Sequence, residues 1–460
     1  MLTVEKIGGT SMSKFHDVLK NIIIGNRNDF DLYNRVFVVS AYAGVTNWLL
    51  EHKKTGEQGV YEMFVKKNNF IKSLQQVLNK LIDINKTFED IHLNQNQAEN
   101  FITNRILQAK YYLNSLADVM ATGYVNKNNI LLAAREILAS IGEAHSAWCT
   151  VNILENNGIN ATLIDLCGFN DSEYLSIDER IHKSFKNIDY SKTIPIATGY
   201  TKGTEGIMRE FDRGYSEVTF SKIAVELKAD EAIIHKEFHL SSADPNIVGL
   251  KKSIPVGQTN YNVADQLADI GMEAIHPKAS KPLEMANINI RIKNTFEPDH
   301  PGTVISKNYI GEKSKAEIIS GTDKVAAIEV HDPSMVGEVG FDLQIMDIFK
   351  KYNISYILKS TNANSITQVI WEKDLKDELL NELKEKFQEI TAKKVALICV
   401  LGTNIAQPGI LAKAATALAN NSINIESFSQ SLKQVNMQFV VPRNQYKEGI
   451  IALNDALCVK

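Results

Sequence analysis

The chain's 460 residues are enough for about three domain-sized units, and 44% hydrophobic residues supply sizeable cores. Lysine plus arginine (50) nearly balances aspartate plus glutamate (54), so the net charge of −4 gives no general attraction to nucleic acid or to an anionic membrane. The 4 cysteines, Cys149, Cys167, Cys399 and Cys458, form no C-x-x-C pair, and no apolar run reaches the length of a spanning helix, about 18 residues. This argues against a zinc ribbon, a disulfide framework and a membrane span, and fits a reduced, cytoplasmic setting without export.

The first stretch, "TVEKIGGTSMSKF", reads as a short apolar strand running into a glycine pair and a helix start. Gly8 and Gly9 are expected to take positive φ and allow a ligand close to the backbone, with unpaired N–H groups at the helix start behind them. Thr10 and Ser11 add hydroxyls, and Lys6 is a mobile charge within reach of a transferring phosphoryl group. The pattern is neither G-x-x-x-x-G-K-[ST] nor G-x-G-x-x-G, and a plain strand-to-helix turn reads equally well. Next, "RVFVVSA" predicts a buried parallel strand, followed by "AYAGVTN". Ser40 and Thr46 at its carboxyl end can donate to a ligand or simply cap a helix.

From about residue 51 to residue 128 the helical spacing of Leu and Ile among Lys, Asn and Gln predicts an all-helical insertion. The next helix carries the small residues Ala139, Ser140, Gly142, Ala144 and Ser146, which imply close packing or a ligand against the backbone. Glu143 sits inside that patch. Such a carboxylate is ordinarily solvated, yet beside a cleft it suits an ammonium group. Strands over "INATLIDL" and "IPIAT" follow, then a loop with Gly199, Gly203, Gly206 and Gly214, and a helix from about Ser216. Arg213, Gly214 and Ser216 at that helix start suit an oxyanion or carboxylate, although long glycine loops can also be merely flexible. The strand "EAIIHKEF" leads to the turn "HLSSADP", and "NINIRIKNTFEPDHPGTVIS" closes the α/β portion.

The last 140 or so residues read as an internal repeat of strand, loop, helix, strand, strand, helix. One copy runs from "VAAIEV" to "DLKDELLNELKEKFQEI", the other from "VALICVLG" to "YKEGIIALNDALC". Neither carries paired catalytic side chains, which suggests binding or assembly.

Taken together, the chain resembles an aspartate kinase along essentially its whole length. The resemblance rests on "EKIGGTSM", "VVSAYAGVTN", "GEAHSA", "RGYS", "RIKNTFEPDHPGT" and the paired C-terminal segments, in this order and spacing. It implies an amino-acid-kinase fold, a mostly parallel sheet flanked by helices, over residues 1–308, with the helical insertion at about 51–128. Two α+β ACT domains would follow at 318–390 and 391–460. It further implies ATP and Mg²⁺ as cofactors, the metal being held mainly by ATP with no protein metal site, and L-aspartate as substrate. Lys6 would lie against the transferring phosphate, with Gly8, Gly9, Thr10 and Ser11 shaping the loop and Gly199 and Asp244 completing the phosphate and nucleotide set. Ser40, Thr46, Glu143, Arg213 and Ser216 match positions lining the aspartate site. Lys6 and Arg213 would be the catalytic pair, Arg213 gripping a carboxylate bidentately.

The chain departs from the family where "REFDRGYSE" places Tyr215 for a glycine and Glu217 for an aspartate, where "IHKEFHLSSADPN" keeps only Asp244 and Pro245, and where Glu273 replaces a lysine. These changes gather on the nucleotide side. They make the chain similar to the specialised aspartate kinases encoded with ectoine biosynthesis, while the ordinary supply of lysine, threonine and methionine synthesis stays open. A catalytically weakened amino-acid sensor on the same scaffold is the rival reading; retention of Lys6, Ser40, Glu143, Arg213 and Ser216 favours the enzyme. A glutamate-type kinase is disfavoured by the tandem repeat and "VVSAYAGVTN". For the repeats, the resemblance implies a homodimer through the ACT domains and an effector, lysine or threonine, near Gly402, Asn404 and Ile405, where Asn404 and free N–H groups would hold an α-carboxylate. A purely structural dimer is the equal alternative.

Overall fold

The computed structural model describes residues 1–27, 29–52, 55–272 and 274–459; the side chains of Asp29, Phe30 and Arg213 lie outside that description, as does Glu273 entirely. The chain divides into two compact units, one of residues 1–239 with 276–302 and one of residues 240–275 with 303–460.

The first unit is built on six parallel strands, β1 (Thr3–Ile7), β2 (Arg35–Val39), β3 (Ala161–Ile164), β4 (Ile194–Thr198), β5 (Glu231–Lys236) and, after the excursion into the other unit, a strand over Asn289–Asn294. Their order in space places β1 centrally, between β2 and β5, with β4 and β3 beyond β2 and the Asn289–Asn294 strand beyond β5. β1, β2 and β4 are buried along their whole length, as continuous β-branched runs covered on both faces should be. Alternation along β1 sends Lys6 to one face of the sheet and Glu5 to the other. The predicted insertion is helical: Val60–Val65, Phe70–Lys86 and Gln95–Thr122. In the second of these, Leu74, Val77, Leu78 and Leu81 form one buried stripe, and the Asn69 side chain caps its start by accepting from Lys72 N–H. Gln95–Thr122 is likewise capped by Asn94 and ends at Gly123, whose φ of 75° stops the helix.

The helix that matters for the site is Lys127–Asn156. Residues 138–147 are buried all round it. The small side chains explain why: a Cβ on Gly142 would stand 2.7 Å from the Ala41 methyl and 2.8 Å from a Val45 methyl, so the helix backbone lies directly on the segment after β2. Between β1 and β2 the chain forms a π-helical stretch, Val18–Ile24.

In the second unit, Gln258–Asn260 (β6) and Thr303–Ser306 (β8) pair in parallel; numbering the Asn289–Asn294 strand β7 completes the chain order. The larger sheet of this unit has six antiparallel strands: β9 (Ile318–His331), β10 (Leu358–Thr361), β11 (Ser365–Trp371), β12 (Glu389–Leu401), β13 (Ser427–Ser429) and β14 (Asn436–Pro442). Their order, β10-β11-β9-β12-β14-β13, is symmetric about the β9/β12 pair. The repeat seen in the sequence is therefore two βαββα units joined edge to edge. Helices Phe341–Lys351 and Asp377–Lys386 cover one copy, Ile410–Asn420 and Tyr446–Leu457 the other. Ile345, Phe349, Leu379 and Leu383 pack on Ile328 and Val330 in the first, and Leu418 and Leu453 pack on Ile398 and Phe439 in the second. Ala243 and Val248 join the latter core. Among the described residues no helix is long and apolar enough to cross a membrane.

Candidate active site

At the carboxyl end of β1, Gly8 has φ −73° and ψ 159°, and Gly9 opens a short helical turn, Gly9–Met12. Neither glycine is in the left-handed region, contrary to the expectation from the sequence. Space is what demands glycine: a Cβ on Gly9 would lie 2.7 Å from the Ala41 carbonyl oxygen, so the turns after β1 and β2 touch backbone to backbone. Hydrogen bonds fix that approach. Ser40 N–H donates to Ile7 O (3.1 Å), and Ala43 N–H donates to Ser13 Oγ (2.7 Å). Ser146 Oγ on the long helix donates to Ser40 O (2.9 Å). Three segments thus meet at one rigid corner.

Lys6 is buried there, and its charge is felt at Glu143. Glu143 is itself only 2% exposed. Its Oε1 accepts a 2.6 Å hydrogen bond from Ser216 Oγ, while Oε2 has no hydrogen-bond partner. Burial pushes its pKa up to about 8, against the opposing pull of the Ser216 hydroxyl, the Lys6 charge, the Tyr215 hydroxyl and the Ala41 N–H. Gly199 lies against the same pair, since a Cβ there would be 3.0 Å from Glu143 Oε2 and 2.9 Å from Ser216 Cβ. The structure thereby groups Gly199 with the carboxylate. Ser216 is the second residue of the helix Tyr215–Glu226, whose start follows the turn Asp212–Gly214. The Arg213 side chain lies outside the described residues. Thr46 stands in the first turn of Val45–Leu49, preceded by Gly44 at φ 84°.

The two hydroxyls of the first loop part company. Thr10 is exposed, whereas Ser11 is buried and braces the loop, donating to Glu237 Oε1 (3.3 Å) and sharing a 3.1 Å hydrogen bond with Thr295 Oγ1. Three residues the sequence reading did not single out as ligands complete the walls. Tyr200 and Tyr215, both buried, meet edge to face at 5.8 Å. Tyr200 Oη donates to Glu136 Oε2 (2.7 Å), whose Oε1 accepts from Met208 N–H (2.9 Å), tying the glycine loop to the long helix. Tyr215 was visible as a departure from the family pattern; Glu136 sat unmarked in a helical run. Glu217 accepts from His276 N–H (2.6 Å).

The remaining sequence-predicted residues belong to the second unit. Asp244 caps the short helix Pro245–Val248, accepting from Asn246 N–H at 2.9 Å. Ile405 is core, and a Cβ on Gly402 would meet it at 2.7 Å. The donors expected to be free in that loop are engaged: Thr403 N–H donates to Glu317 Oε1 (3.0 Å) and the Asn404 amide to Gly311 O (2.7 Å). Among the described residues no cluster of His, Cys, Asp or Glu could hold a metal ion.

Residues 1–294 match the amino acid kinase family and residues 398–457 an ACT domain. Aspartate kinase Ask_Ect of Stutzerimonas stutzeri (strain A1501) is 45% identical, with 99% of this chain and 97% of that protein covered. The chloroplastic aspartokinase 1 of Arabidopsis thaliana is 26% identical over 75% of this chain and 64% of its own. Among solved structures, E. coli aspartokinase III in complex with lysine and aspartate aligns with a TM-score of 0.72 at 18% identity, covering 99% of both chains; at that identity the likeness speaks for the fold. On the family match over residues 1–294 and the near full-length relative, the chain belongs to the aspartate kinases of the amino acid kinase family.

Proposed function

We propose that the protein transfers the γ-phosphate of ATP to the β-carboxylate of L-aspartate, giving 4-phospho-L-aspartate, the first step of aspartate-family amino-acid biosynthesis. The observation that carries the reading is Glu143, a buried carboxylate with one oxygen hydrogen-bonded to Ser216, the other in no hydrogen bond, and no cation in ion-pair contact among the described residues. Buried charge is tolerated when paired, and the ammonium of an amino acid is the partner this site lacks. The acceptor β-carboxylate, with a pKa of about 3.9, is already ionised near neutral pH and needs no general base. The obstacle is repulsion between that carboxylate and the polyanionic nucleotide. Catalysis then consists of positioning and positive charge: Lys6 beside the transferring phosphate, backbone N–H groups of the loop from Gly8 to Ser11, and Arg213 on a substrate carboxylate. Ser40, Thr46 and Ser216, with Gly199 against the same carboxylate, complete the aspartate site. Mg²⁺, carried mainly by ATP, neutralises phosphate charge.

The 45% identity with Ask_Ect supports a place in the ectoine-linked subgroup. We read the βαββα pair as two ACT domains, at 318–390 and 391–460, behind a catalytic portion of 1–308. The pair would form a homodimer, with lysine or threonine as candidate effector. The test is ADP release with Mg²⁺-ATP and L-aspartate, L-glutamate or no acceptor, with hydroxylamine trapping the acyl phosphate. Aspartate-dependent release is expected; release independent of acceptor, or none from folded protein, overturns the reading.

A further inference from the structure

On the face of the sheet opposite Lys6 lies a second cavity, of about 530 Å³, within the range of small-ligand sites. Its floor is Glu5 and Ile233, with His235 and Lys293 one step further along adjacent strands, since Ile7, His235 and Lys293 share a register position. Its wall is the end of the π-helical stretch and the turn to Arg27.

The charges in this cavity do not balance. Glu5 is fully engaged: Arg35 Nε donates to Oε1 (2.6 Å) and Nη2 to Oε2 (3.1 Å), and His235 Nε2 lies 2.7 Å from Oε2. Both its oxygens are taken, so the other cations feel its charge without a direct bond to it. The Arg27 guanidinium is half-buried and donates to a carbonyl, Ile22 O (2.7 Å). The Lys293 ammonium, also half-buried, donates to Pro298 O (2.9 Å). Among the described residues neither has a carboxylate within ion-pair distance. Lys20 adds a third cation, and Asp299, exposed, is the lining carboxylate besides Glu5. Burial pulls the pKa of Lys293 down, and the charges of Arg27, Arg291 and Arg35 push it the same way against Glu5; Arg27 is lowered by burial and by Arg35, against the weaker opposing charges of Glu5 and Asp31. Partly desolvated cations that repel one another are what a bound anion relieves.

We propose that this cavity, on the Glu5 face of the sheet, binds a phosphate-type oxyanion between Arg27 and Lys293. A guanidinium fork beside an ammonium suits the several acceptor oxygens of a phosphate group, and three cations against the exposed Asp299 and Asp31 leave room for an anion's charge. The proposal is independent of the kinase reading, because the site faces away from Lys6 and Glu143.

The test is calorimetric titration of inorganic phosphate and pyrophosphate into the full chain carrying Lys6→Ala, which weakens the loop at the other face. Binding is expected there, and Arg27→Gln with Lys293→Gln in the same background should lower the affinity at least about tenfold, each charge-assisted hydrogen bond being worth roughly that much. Arg27→Lys with Lys293→Arg should bind within about threefold of the parent, a change of well under 1 kcal/mol. Absence of binding to the Lys6→Ala chain, or equal affinity in the double glutamine variant, overturns the site. Should the glutamine variant not fold, acylation of Lys293 in the unsubstituted chain, read by mass spectrometry, decides: phosphate should slow it at least threefold, about 0.65 kcal/mol of occupancy, and an unchanged rate overturns the proposal.

Discussion

Two carboxylates of the catalytic unit, Glu5 and Glu143, are both buried, yet their environments are opposite. At Glu5 burial alone would raise the pKa, but the Arg35 charge and the hydrogen bonds of His235 and Arg35 outweigh it and hold the carboxyl well below its usual range. At Glu143 the Ser216 and Tyr215 hydroxyls, the Ala41 N–H and the charge of Lys6 do not compensate, and the pKa rises to about 8. The first carboxylate is complete within the protein; the second is one cation short. A buried charge whose partners are all present holds strands together, and one left wanting marks where a ligand's charge belongs.

The largest effect should come from breaking the complete site. Glu5→Ala leaves Arg35 buried without its counter-charge and His235 without its hydrogen-bond partner, which should cost about 3–5 kcal/mol of stability, read by denaturant unfolding. A loss below about 1 kcal/mol would mean that water reaches Arg35 and that Glu5 is not the keystone of the pair. Lys6→Ala, on the other face of the same strand, should leave the fold intact and lower kcat about 100-fold or more, with aspartate KM changed much less, because its charge counts most as the phosphoryl group transfers. A kcat within a few-fold of the parent would remove Lys6 from the catalytic role.

Glu143→Gln sharpens the contrast, because it should affect activity and stability in opposite directions. Losing the ammonium's counter-charge should raise aspartate KM about 30-fold or more, some 2 kcal/mol. The amide removes the cost of a buried carboxylate, so the apo protein should melt higher than the parent at pH 8. The pH dependence follows from the raised folded-state pKa. Between the ordinary carboxyl value of 4.5 and about 8 the unfolded state ionises while the folded state keeps its proton, so this group's contribution to stability falls across that window and levels off above it. Glu5, with its pKa depressed, has the opposite sign: its stabilisation is full above 4.5 and is lost as the pH drops below. Aspartate binding near pH 7 should release a proton from Glu143, measurable by calorimetry in buffers of different ionisation enthalpy. A parent-like Tm profile for Glu143→Gln, or no proton release, would show that Glu143 is already charged in the free protein.

Much of this was legible in the sequence because the signals were local. The glycine pair after an apolar strand, the small residues around Glu143 and the two copies of strand, helix and strand pair all carry their structural meaning within some thirty residues. What escaped depended on distance. The reason for Gly9 is Ala41, thirty-two positions on, and not its own φ. Glu5 could not be known as a pair partner until β2 and β5 set Arg35 and His235 beside it. The chain of 240–275 joined the second unit through core residues such as Ala243 and Val248, whose apolar character fits either unit equally. Asn404 and the N–H groups of its loop looked free because Gly311 and Glu317, which occupy Asn404 and the Thr403 N–H, lie some ninety residues earlier.

Glu217 stands between the two extremes and gives the smallest and most discriminating effect. It is half-buried, and its carboxylate accepts a 2.6 Å hydrogen bond from His276 N–H, the residue that caps helix Pro277–Met285. Gly214 lies flat against the same imidazole, where a Cβ would come within 2.7 Å of His276 Cδ2, so the start of the Ser216 helix and the start of Pro277–Met285 are joined through this one residue. Glu217→Asp, which restores the family's residue, shortens the side chain by a methylene and withdraws the acceptor from an N–H that has little room to follow. The expected cost is about 1 kcal/mol of stability, with kcat falling less than about threefold, since the bond is structural and its loss is partly made up by water. Were kcat to rise instead, the longer side chain would be a defect in the nucleotide side. If it fell a hundredfold, Glu217 would have to touch the reactants, and the pocket would have been rebuilt around it.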